Sequence, residues 1–113
     1  MSTDQVTNEF GWALAAAAGD KDGNVLADDL ARRASWFVKS DRASLIAVVR
    51  DWLECRDELL TVQGTLLVAS LRLVELKNEV AGVRADVAAG RFLEPSSLWL
   101  FDRAIARLSS STS

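Results

Sequence analysis

The sequence predicts an all-α fold, and three observations carry that expectation. Apolar residues recur at intervals of three and four, the helical period, and strand-like alternation is absent. Alanine and leucine, both strong helix formers, are abundant. Proline occurs once, at Pro95, late in the chain. The expected architecture is a single domain of five helices, a bundle or a short stack of antiparallel helical hairpins, over residues 1–108. A Ser-rich disordered tail at 109–113 is expected to follow.

The first predicted helix runs from about Thr3 to Ala18, with Val6, Phe10, Ala13, Leu14 and Ala17 as its buried stripe. A polar turn over 19–24 leads to a second helix from about Val25 to Lys39, capped by Asn24, with Leu26, Leu30, Ala34 and Phe37 inward. Ser40 and Asp41 make a tight turn, and Asp41 can cap the third helix, about Arg42 to Leu60. So short a turn predicts an antiparallel hairpin of the second and third helices. Thr61 is the expected cap of a long fourth helix from Val62 towards Ala89, apolar on most sides in its first half, with a possible break near Asn78. Gly90 suits a left-handed helix end. A loop over 91–95 precedes the fifth helix, about Leu98 to Leu108, capped by Ser96 or Ser97. Hairpin stacks of this kind resemble HEAT-class helical-repeat proteins in architecture alone, and architecture does not confer function.

Composition narrows the function. The chain has 113 residues, half of them apolar, which suits one hydrophobic core. A net charge of -3 and a pI near 4.9 argue against nucleic-acid binding, and no run of Lys or Arg exceeds the pair Arg32-Arg33. The longest uncharged stretch, Leu59 to Leu71, falls short of the roughly 20 residues of a membrane span. The first nine residues lack the positive segment of a secretory leader. A single cysteine, Cys55, allows no intrachain disulfide and fits a reducing compartment, so the expected location is cytoplasmic, with no membrane partner.

Catalysis is not expected. The chain has no histidine, so neither a Cys-His nor a Ser-His pair exists, and Cys55 reads as a partly buried structural residue. The carboxylate pairs Asp28-Asp29 and Glu54-Glu58 read as solvated helix faces. No phosphate-binding glycine loop or metal-ligand spacing occurs, and no cofactor is expected. The turn after the first helix resembles an EF-hand loop through Asp20, Asp22, Gly23 and Asp29. It lacks the first acid and the closing bidentate glutamate, so a polar turn is the preferred reading. Arg32-Arg33-Ala34-Ser35 resembles a basophilic kinase motif, poorly presented inside a helix.

The remaining signals point to binding. Four tryptophans are many for this length, and Trp12 and Trp99 fall off their helices' apolar stripes, as does Leu100. Val80, Val83 and Val87 continue an apolar strip along the fourth helix that either the fifth helix covers, by folding back across its five-residue loop, or a partner covers. These six residues form the expected partner surface, and Val83→Asp is then expected to abolish association while leaving the monomer helical. Arg33 and Arg56 interrupt apolar stripes. Their stems can pack while the heads reach water, or the heads can pair with a carboxylate such as Asp29 or Glu75, or hold an anionic ligand. The leading expectation is a non-catalytic interaction protein (an adaptor, an inhibitor or an immunity-type protein) that binds another protein or forms a homodimer. The alternative is a small-molecule-binding bundle with an anion on a buried arginine.

Overall fold

A computed structural model of the chain describes residues 3–16 and 23–109. Among these the only regular structure is helical: α1 (Thr3–Ala16), α2 (Gly23–Ser40), α3 (Arg42–Glu54), α4 (Glu58–Leu71), α5 (Lys77–Ala88) and α6 (Leu98–Ser109). Short 3-10 turns at Val74–Leu76 and Pro95–Ser97 precede α5 and α6. Packing divides the chain into two compact units, Met1–Val48 and Val49–Ser113, with α3 running through the division.

In the first unit α1 packs on α2. Val6, Phe10 and Ala13 of α1 are buried at helical spacing, as are Leu26, Leu30, Ala34 and Phe37 of α2. The second and third helices are joined through Asp41 alone. Asp41 donates its N–H to the Phe37 carbonyl at 2.8 Å, and its own carbonyl accepts from the Leu45 N–H at 3.3 Å. These are the last bond of α2 and the first of α3. Asp41 still caps α3, accepting from the Ser44 N–H at 3.3 Å and the Ser44 hydroxyl at 2.7 Å. The loop acids Asp20 and Asp22 lie outside the described residues, as does the tail over 110–113.

The second unit is built around α6, which packs on both α4 and α5. Its core includes Leu53, Leu67, Val68, Leu73, Leu76, Phe101, Ala104 and Leu108. At about 1.5–3 kcal/mol for each large apolar side chain, this burial is the main stabilising term. The division into five helices is corrected to six. The expected third helix stops at Glu54, because Arg56 takes a left-handed conformation (φ 55°) and Asp57, rather than Thr61, caps a new helix. The Asp57 carboxylate accepts from the Leu60 N–H at 3.0 Å. The long fourth helix is likewise interrupted, earlier than Asn78. Arg72 is left-handed (φ 51°), and the Leu73 N–H closes back on the Val68 carbonyl at 3.1 Å. Gly90 (φ 77°) ends α5 as expected, with the Arg91 N–H bound to the Asp86 carbonyl at 2.9 Å. The serines before α6 form the 3-10 turn itself, which shows no side-chain cap.

Close helix contact in this unit is set by Gly64 on α4. A Cβ there would stand 3.4 Å from the Trp52 Cβ and 3.5 Å from a Leu53 methyl, ordinary van der Waals contact, so α3 side chains pack directly against the α4 backbone at this point. The neighbouring buried hydroxyls are satisfied: Thr61 donates to the Trp52 carbonyl and Thr65 to the Thr61 carbonyl, each at 2.8 Å. The Gln63 Oε1 is buried and has no hydrogen-bond partner among the described residues.

Candidate functional site: a tryptophan-lined groove between α1 and α2

Charged groups decide which expected sites are free. Among the described residues no cluster of three or more His, Cys, Asp or Glu could hold a metal. Arg33 is three-quarters buried and its head is engaged: Nε bonds the Asp29 carboxylate at 3.1 Å, and Nη1 meets Glu9 at 3.3 Å. Arg32 shares the same Asp29 oxygen. Arg56 bonds Asp86 at 2.9 Å through Nε and donates to the Leu53 carbonyl through Nη1. Of the readings offered for these two arginines, the structure shows carboxylate pairing. An anionic ligand would have to displace an existing partner in either place. Glu54 and Glu58 are exposed, and the Arg33 and Arg32 pairs occupy Asp29. Cys55, expected to be partly buried, is exposed at the α3–α4 corner, its thiol 3.2 Å from the Trp52 carbonyl.

In the second unit, ion pairs tie elements together. Arg50 bonds Glu79 at 2.7 Å between α3 and α5, which raises the arginine further above its ordinary range. Arg84 pairs with Asp102 between α5 and α6, and Arg107 donates to the Ala69 carbonyl at 2.7 Å. Asp86 accepts from Arg91 at 2.9 Å and from Arg56 at 2.9 Å, and these two donors hold its carboxyl below the usual carboxylate range. A depressed pKa in the folded state stabilises above the unfolded value and loses that effect as pH falls through the folded one. Asp86→Asn is therefore expected to lower the melting temperature at pH 7. The gap from wild type should narrow as the solution is taken down towards about pH 2, because protonation of Asp86 removes its difference from asparagine. Parallel melts at the two pH values check this. An unchanged gap at low pH would remove ionisation of Asp86 as the cause.

The expected partner surface divides once burial is known. Val80, Val83 and Val87 have no exposed surface, and Leu100 is 8% exposed. α6 folds back on α5 and closes the valine strip. Leu100 is covered because α6 has neighbours on two sides, which widens its buried arc. These four residues are part of the core in this structure, so they are corrected out of the free surface. Trp12 (63%) and Trp99 (62%) are exposed as expected, and Trp36 (57%) joins them.

Trp12 and Trp36 share one groove. Gln5, Asn8, Glu9 and Trp12, one face of α1 at spacings of three, one and three, form one wall. Arg33, Trp36 and Phe37 of α2 form the other. The groove encloses about 400 Å³. Phe37 is buried and meets the Trp36 ring edge-on at 5.0 Å and 83°, which fixes the base of that indole. Trp99 belongs to the other unit and takes no part in these walls. Sequence reasoning left Trp36 out of the partner surface. The signal was its place three residues beyond Arg33, on the same side of α2. In comparisons with known proteins, no protein-family model, curated protein or solved structure matches the chain.

Proposed function

We propose that this protein is a non-catalytic interaction module that engages a partner protein through the α1–α2 groove, with Trp12 and Trp36 as anchors. The observation that carries this reading is the pair of indoles, each more than half exposed, facing one groove. Tryptophan is the side chain most enriched among residues that dominate binding energy, and water normally disfavours leaving two such rings uncovered together. The alternative, an anion held by a buried arginine, is weaker because carboxylates already neutralise Arg33 and Arg56. An adaptor, inhibitor or immunity-type role suits a small acidic helical chain. The cytoplasm suits its lone exposed thiol, and no described helix is long and apolar enough to cross a membrane.

The test compares capture from the native host by wild type, by a Trp12→Ala/Trp36→Ala chain and by Trp99→Ala. A stoichiometric partner is expected with wild type and Trp99→Ala. It should be lost from the double variant, because truncating an anchor costs about 2 kcal/mol or more, roughly thirtyfold in affinity. Loss only with Trp99→Ala would move the interface to α6. Equal capture by all three would remove tryptophan anchoring altogether.

A further inference from the structure

We propose that two copies of this chain exchange α6, each copy's α6 packing on α4 and α5 of the other, to form a domain-swapped dimer. The inference is independent of the groove, because every residue it uses lies in the Val49–Ser113 unit.

What α6 covers is the first reason. Its Leu100, Phe101, Ala104 and Leu108 are buried, and it closes the fully buried strip Val80, Val83 and Val87 of α5. An α6 swung out into water would uncover both apolar surfaces, so it leaves its place only for an identical one. A second copy supplies that place. There Arg84 again meets Asp102, and Arg107 the Ala69 carbonyl, now across two chains. The helix contacts are therefore the same in the closed monomer and in the exchanged dimer, and the connection between α5 and α6 decides between them.

That connection is the second reason. Its first part is tied to α5: the Arg91 N–H donates to the Asp86 carbonyl at 2.9 Å, and Nη2 to the Asp86 carboxylate at 2.9 Å. Its last part is already extended, since Glu94 stands at φ −96°, ψ 148°, as the residue before Pro95 prefers. Between them Leu93 is left-handed (φ 53°), a conformation that glycine and asparagine tolerate and leucine disfavours. Strain in a short hinge favours exchange. Turning Leu93 to the extended region releases that strain. It also draws residues 92–94 into a segment about 10 Å long, one helix diameter, which carries α6 to a neighbouring copy. The 3-10 turn before α6 has no side-chain cap to hold the closed arrangement. A dimer formed in this way carries two α1–α2 grooves, one on each copy, and a partner with two docking segments gains avidity from both.

The test has two arms, both on the full chain. In the first, protein is refolded from denaturant at about 0.5 mM and weighed by light scattering, because assembly depends on concentration. Wild type is expected to give a dimer, and Trp12→Ala/Trp36→Ala the same dimer. Leu93→Gly accepts the left-handed hinge without strain and should raise the dimer dissociation constant about tenfold or more. The second arm mixes two chains that each break the α5–α6 core, Val83→Asp on α5 and Ala104→Asp on α6, both at fully buried positions. Exchange seats the unaltered α6 of the first chain on the unaltered α5 of the second. Co-refolding should then give a heterodimer with one unit restored, seen as recovered helix by circular dichroism, while neither chain recovers alone. A wild type that stays monomeric, a dimer lost in the double tryptophan variant, a Leu93→Gly dissociation constant equal to wild type, or a mixture that recovers no helix would overturn the proposal.

Discussion

Val83→Asp is expected to unfold the Val49–Ser113 unit. Val83 has no exposed surface and lies on the face of α5 that α6 covers. The substitution removes about 1.5–3 kcal/mol of apolar burial. It also leaves a carboxyl either charged in the core or protonated without a partner, and the total cost is about 4 kcal/mol or more. That is a large share of the roughly 5–15 kcal/mol that holds a domain together. A far-UV circular dichroism melt should show early loss of helix, partly recovered in acid where the new carboxyl is neutral. Val83→Thr, nearly the same shape, should lose less. This outcome is opposite to the sequence-based expectation of a helical monomer that merely fails to associate. Retention of the wild-type melting temperature would mean that α6 does not close the strip.

Phe10→Ala should have a comparable effect on the Met1–Val48 unit. Phe10 is fully buried on the α1 face that packs against α2. Truncating a buried phenylalanine costs about 3–5 kcal/mol, through lost transfer energy and the cavity left behind. A denaturant titration gives the size of the loss. Because α1 supplies one wall of the groove, the same variant should also lose partner binding, whereas Trp12→Ala should lose binding at nearly unchanged stability. If Phe10→Ala unfolds at the same denaturant concentration as wild type, α1 is not held to α2 by this ring.

Which parts of this structure can be read from the sequence follows from what marks them chemically. Helical periodicity is strong in Leu26, Leu30, Ala34 and Phe37, and these residues are buried as their spacing requires. The Asp41 cap and the Gly90 helix end carry their own residue signals. The breaks at Arg56 and Arg72 do not. Each needs a left-handed backbone, normally flagged by glycine or asparagine, and an arginine there gives no warning. Asp57 was the legible clue to the first break, as an acid three residues before Leu60, but the apolar stripe running past it suggested a continuous helix. Periodicity also shows that Val80, Val83 and Val87 share a face without showing what covers it. That depends on the direction α6 takes after its loop, which no local signal encodes. The groove was half legible. Trp12 stood out as an apolar residue off its stripe, while its pairing with Trp36 depends on the register of α1 against α2.

The distribution of indoles governs how this protein emits light. With no tyrosine in the chain, all near-ultraviolet fluorescence comes from four tryptophans. Three of them already face water in the folded state. Their emission is red-shifted before any denaturant is added, so unfolding should change the spectrum mainly through Trp52, the one half-buried ring. An apolar occupant in the groove would shield Trp12 and Trp36 and shift the emission to the blue. Intrinsic fluorescence of this chain is thus a poor reporter of folding and a sensitive reporter of occupancy.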